Sequence, residues 1–153
     1  MVICMFRLSC KSMMFRVISK GRVKSPWIFH LNTGSCNGCD IEIVAAFAPR
    51  YDLERFGCLL VGSPRHADVL LVTGPVTRQM LPRLIRVYEQ IPEPKVVVAV
   101  GTCASSGSPF LGSEMVEGPV DRIIPVDVYV IGCPPRPEAI VKGVVTAVKS
   151  KFR

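Results

Sequence analysis

Four cysteines stand in turns rich in glycine and flanked by proline: Gly34-Ser35-Cys36-Asn37-Gly38-Cys39, Gly101-Thr102-Cys103-Ala104-Ser105-Ser106-Gly107 and Gly132-Cys133-Pro134-Pro135. One Cys-x-x-Cys pair with two distant single thiolates suits the corners of a [4Fe–4S] cube, which draws its ligands from separate loops. Glycine beside the cysteines lets backbone N–H groups approach such a group where a Cβ would collide. Proline after Cys133 removes one donor and stiffens the turn. The chemistry that this set would support is electron transfer.

Three other readings fit the same residues. Structural zinc usually takes two paired clips, whereas here one pair is followed by two lone cysteines. A thioredoxin-like dithiol oxidoreductase would use only Cys36 and Cys39, and leaves Cys103 and Cys133 with their glycines unexplained. The cysteines can also be unpaired buried thiols. Spacing by itself does not separate the four.

The elements that must position these turns alternate between strand and helix from Ser25 onward. Pro26 to Leu31 reads as a strand, and the Cys36–Cys39 turn leads into a helix over 40–47 that stops near Pro49. Strands follow at 58–61 and 68–72, then a helix over 77–90 with Pro82 in its early part. The continuous apolar run Val96-Val97-Val98-Ala99-Val100 is that of a strand buried on both faces. Residues 104–124 read as a long loop, 127–131 as the last strand, and Pro137 opens a closing helix through Lys149. This alternation predicts an α/β three-layer sandwich around a mostly parallel sheet. The cysteines then fall just past strand ends, where sites in open α/β sheets form. One connection fits badly: residues 62–67 are too few for an ordinary parallel crossover, so the second strand is an edge piece or is mispaired.

At 153 residues the chain has room for one domain with a real core. Seven cysteines without a convincing signal peptide argue for a reducing compartment and for ligand chemistry over disulfides. No run reaches the roughly eighteen charge-free apolar residues of a membrane span. The net charge of +7 is mostly N-terminal: residues 1–39 hold six basic residues and no acid, and 40–153 hold thirteen basic and twelve acidic. The expected organisation is a basic, apolar segment over 1–24 and one domain over 25–153. That segment reads as a helix lying on a partner subunit or anionic lipid, or as a solvated tail. The chain lacks an aromatic stacking platform, so nucleic acid is not an expected partner. A mean hydropathy of +0.37 points to an apolar surface that serves as an interface.

Four stretches together resemble one family: Gly-Ser-Cys36-Asn-Gly-Cys39-Asp-Ile-Glu42, Ser-Pro-Arg65-His66-Ala-Asp68, Tyr-Glu-Gln-Ile-Pro-Glu-Pro-Lys95, and Asp121 through Cys133-Pro-Pro. It is the family of the complex I 20-kDa iron–sulfur subunit and the [NiFe]-hydrogenase small subunit. The resemblance spans about residues 25–150 and is strongest to the J-type small subunits of archaeal membrane-bound hydrogenase and membrane-bound sulfane sulfur reductase. It implies a flavodoxin-like fold holding one [4Fe–4S] cluster on Cys36, Cys39, Cys103 and Cys133, at the carboxyl ends of strands. Complex I members usually begin the motif with adjacent cysteines, and this chain keeps the hydrogenase-like Cys-x-x-Cys.

The resemblance further implies an oxidoreductase subunit that relays electrons on the cytoplasmic side of the cell membrane. Its partners would be a large subunit carrying most of the active site, a neighbouring iron–sulfur subunit and an ion-pumping membrane arm. Ferredoxin would be the donor to the complex, and protons, a sulfur compound or a quinone the terminal acceptor. Glu42, one helical turn after Cys39, could relay protons toward that active site, or simply favour the helix dipole. Arg65 and His66 read as an interface or a solvated loop. Cys58 reads as a small buried hydrophobe, and Cys4 and Cys10 receive no role.

Overall fold

The computed structural model describes residues 21, 24–107 and 109–151. The expected basic segment over 1–24 therefore lies, apart from Gly21 and Lys24, outside the described residues.

Five strands form one parallel sheet: β1 (Trp27–Asn32), β2 (Leu59–Leu60), β3 (Val69–Thr73), β5 (Val96–Val100) and β7 (Val128–Val130), in the spatial order β2-β1-β3-β5-β7. Counted within this sheet alone, the order is 2-1-3-4-5, the flavodoxin-like arrangement. Every residue of β3 and β5 is buried, as their unbroken apolar runs require. Side chains alternate between two cores, because successive strand residues point to opposite faces. Val69, Leu71, Val96, Val98 and Val100 pack with helices α1 (Gly38–Phe47) and α4 (Pro137–Lys151). Leu70, Val72, Val97 and Ala99 pack with α2 (Leu81–Gln90) and the short α3 (Thr102–Ser106). The result is the expected three-layer sandwich.

The helices dock by their apolar stripes. In α1 the buried residues are Cys39, Ile43 and Ala46, and in α4 Ile140, Val144, Ala147 and Val148 recur at three- and four-residue spacing. Pro82 lies in the first turn of α2, where a missing N–H costs nothing.

The short connection after β2 has a simple explanation. Leu60 pairs with Ile28 on one side of β1 and Val69 pairs with Ile28 on the other. The chain leaves β2 at the same level at which β3 begins, so it has only to step over β1. That step spans two strand spacings, about 10 Å. A 3-10 turn at Pro64–His66 covers it, and β2 is an edge strand.

Two expectations are corrected. Thr77 does not begin the helix; it belongs to β4 (Val76–Thr77), and α2 starts at Leu81. Residues 104–124 are not a plain loop, since β6 (Val116–Gly118) pairs antiparallel with β4 and Val120–Arg122 forms a 3-10 turn. Both arise from pairing between segments some forty residues apart, which local pattern does not reveal. Among the described residues no helix is long and apolar enough to cross a membrane.

Candidate functional site

All three cysteine turns lie at the carboxyl end of the sheet. Cys36 and Cys39 follow β1, Cys103 follows β5, and Cys133 follows β7. Hydrogen bonds bind the latter two turns together: Gly101 N–H donates to the Val130 carbonyl at 2.8 Å, and Thr102 N–H donates to the Gly132 carbonyl at 2.9 Å. Around the first turn, Gly38 leaves room for its neighbours. A Cβ there would lie 3.6 Å from the Cys36 Sγ and 3.9 Å from the Pro134 ring, so the turn carrying Cys133 abuts the Cys36–Cys39 turn. Asn37 takes φ +67°, a left-handed conformation that asparagine tolerates, and so turns the chain into α1.

Cys39 is buried at 8% exposure, Cys103 is half-buried, and Cys36 and Cys133 are exposed. Burial, then the Asp40 charge, then Cys103, Cys36 and Cys133 push the Cys39 thiol up to about 11. Burial also raises Cys103, with Cys133 and Cys36 adding to it. The four thiols thus form one electrostatically coupled group. All five described cysteines are free thiols. Among the described residues no three His, Cys, Asp or Glu side chains converge on one metal ion. A zinc shell would need sulfurs about 3.8 Å apart.

A [4Fe–4S] group suits this donor set. The four cysteines come from three turns at one end of the sheet, and the backbone at Gly101 leaves the space that a Cβ would take from the Cys39 sulfur, 2.6 Å away.

Glu42 lies on α1 one turn past Cys39, half-buried, with no hydrogen-bond or ion-pair partner among the described residues. Cys58, 2% exposed, packs in the core beneath α1 and α4, and burial pushes its thiol up to about 11. Arg65 and His66 are exposed before β3, at the opposite end of the sheet from the cysteines, with the His66 ring edge-on to Trp27.

Sequence reasoning missed a polar hub directly beneath the cysteine pair. The Asp40 carboxylate accepts from the Thr73 hydroxyl at 2.5 Å on Oδ1, and His30 Nε2 lies 2.9 Å from the same oxygen. Its Oδ2 accepts from the Ser35 hydroxyl at 2.5 Å and from Asn32 Nδ2 at 2.6 Å. Burial would raise this carboxyl, but hydrogen bonds from Ser35 and Thr73 together with the His30 ring outweigh it and hold the group below its ordinary range. The available signal was the spacing of His30 and Asn32, two apart on β1 and hence on one face, with polar Thr73 paired beside Asn32.

The sequence matches the family described as NADH ubiquinone oxidoreductase, 20 Kd subunit, over residues 36–147. It is 67% identical over 126 residues to the "Probable membrane-bound hydrogenase subunit mbhJ" of Pyrococcus furiosus, covering 82% of this chain and 75% of that one. It is 50% identical over 131 residues to an NADH-quinone oxidoreductase subunit of Herpetosiphon aurantiacus, covering 84% of this chain and 70% of that one. Among solved structures, a chain of the membrane-bound sulfane sulfur reductase, an archaeal respiratory membrane complex, superposes with a TM-score of 0.78 at 40% identity, covering 90% of this chain and 76% of that one. With the parallel 2-1-3-4-5 sheet and its glycine-dressed cysteine turns, this chain belongs to the oxidoreductase-subunit family of the NADH–ubiquinone oxidoreductase 20-kDa subunit and the [NiFe]-hydrogenase small subunit.

Proposed function

We propose that this chain holds one [4Fe–4S] cluster on Cys36, Cys39, Cys103 and Cys133 and relays electrons to an active site carried mainly by a large subunit. The complex would be a membrane-bound, ion-pumping oxidoreductase of the energy-converting [NiFe] hydrogenase type. The observation that carries this reading is the meeting of three cysteine-bearing loops at one end of the sheet, with Gly101 against the Cys39 sulfur and Thr102 bonded to Gly132. Likeness to the Pyrococcus furiosus subunit supports the hydrogenase type. Likeness to the sulfane sulfur reductase chain supports a second reading, the equivalent subunit of such a reductase.

When bound, such a cluster accepts and gives up single electrons. The residues do the rest. Each thiol would release its proton to become a ligand, and burial raises the cost of that release most at Cys39, whose thiol is pushed up to about 11. Cys36 and Cys133 are exposed, and the elements that carry the cysteines also expose Ile41 at 66%, Val44 at 65% and Ile131 at 73%. Large apolar side chains around polar ligands favour a partner surface that excludes water there. Glu42, half-buried one turn past Cys39, would hold and pass a proton at its carboxylate. Peripheral attachment on the cytoplasmic side of the membrane and a ferredoxin donor complete the proposal.

The test is anaerobic purification of the native complex with metal and sulfide analysis of this chain. About four iron and four sulfide are expected. Zinc without sulfide would instead indicate a zinc-stabilised binding module. Loss of the relay on removing Cys36 or Cys39, with Cys103 and Cys133 dispensable, would indicate a dithiol oxidoreductase.

A further inference from the structure

The Asp40 carboxylate joins four side chains from three parts of the chain. Thr73 comes from the end of β3, His30 and Asn32 from β1, and Ser35 from the loop between β1 and α1. Ser35 directly precedes Cys36 and Asp40 directly follows Cys39, so the bond between them closes the turn that contains both cysteines. Asn32 reinforces the closure, its Oδ1 accepting the backbone N–H groups of Gly34 and Ser35 at 2.8 and 2.9 Å. An aspartate in the first turn of a helix commonly serves that helix's own amides. Here, among the described residues, no backbone amide of α1 donates to Asp40; both of its oxygens are committed to the sheet and the turn.

We propose that Asp40 is a positioning residue for the cysteine pair, pinning the Cys36–Cys39 turn to the carboxyl ends of β1 and β3 and standing as a fixed negative charge beside Cys39. The inference rests on the cluster reading above and adds a residue that supplies no ligand atom. Two consequences follow. With three donors and the His30 ring nitrogen converging on two oxygens, the turn has one arrangement, so Cys36 and Cys39 are presented in a single geometry. A negative charge beside a ligand also opposes the arrival of an electron on the group it holds, which lowers the potential of that group.

The experiment compares the intact, anaerobically purified complex with its Asp40→Asn and Thr73→Val forms. Iron and sulfide content and an EPR-monitored redox titration are read for each. Asp40→Asn keeps the shape and removes the charge, and the midpoint potential should move to a more positive value. Thr73→Val keeps the charge and removes one of the two partners of Oδ1, leaving His30, so it should broaden the EPR signal with a smaller shift of potential. Asp40→Asn with full iron and sulfide, the parent potential and the parent line shape would overturn the inference while leaving the cluster reading intact. Absence of iron and sulfide from this chain in the parent complex would instead defeat the reading beneath it. Should Asp40→Asn fail to assemble, Ser35→Ala removes the bond that closes the turn while Asn32 stays on Oδ2, and the parent line shape in that variant overturns the positioning role.

Discussion

The sulfur of Cys39 occupies space that a side chain at Gly101 would need. A Cβ built on Gly101 would come 2.6 Å from the Cys39 Sγ, and Gly101 holds φ +94°. The end of β5 therefore touches the first cysteine turn only because residue 101 has no side chain. Gly101→Ala should incur backbone strain of order 1–3 kcal/mol and displace Cys39. Thermal unfolding should show the lost stability. Iron analysis of the complex should show depleted metal on this chain, and a variant with parent stability and iron content would contradict the close approach.

Replacing Cys103 or Cys133 by serine should abolish the cluster signal and electron delivery, because each comes from its own loop and no described cysteine stands by to substitute. Cys58→Ala should keep both, since Cys58 lies in the core facing α1 and α4. A Cys103→Ser complex with full cluster and full activity would count against the four-ligand set.

Gly143 on α4 faces Val130 at the end of β7, where a Cβ would overlap the valine Cγ2. Alanine in a helix ordinarily gains about 1 kcal/mol over glycine. Overpacking against a stiff, buried, β-branched neighbour costs about 1–3 kcal/mol and should win. Gly143→Ala is therefore expected to lower the melting temperature, and a rise would show that α4 can move aside freely.

The Cys58 thiol carries a pH signature. Burial pushes it up to about 11 from an ordinary value of 9.0. Because the folded state holds its proton more tightly than the unfolded chain, its contribution is complete below about 9 and is lost as the pH rises toward 11. Denaturant unfolding of the complex in this window should show a smaller alkaline loss of stability in Cys58→Val than in the parent. Equal slopes would place the titrating group elsewhere.

Much of this molecule is readable residue by residue, because its signals are local. The apolar run Val96–Val100 announces a doubly buried strand, Pro82 and Pro137 mark first turns, and glycines beside Cys36, Cys39, Cys103 and Cys133 mark where backbone must approach sulfur. Strand and helix alternation then suffices for the three layers, since each face of a parallel sheet must be covered. Strand order and register are another matter. That Leu60 and Val69 flank Ile28 at one level, that β4 meets β6, and that Thr73 reaches Asp40 across 33 positions depend on which faces pack together. Local dihedral preference and periodicity carry no record of such pairings. The hub around Asp40 stayed invisible for that reason: each of its members looks ordinary among its sequence neighbours, and only the closing of the sheet gives the carboxylate its four partners.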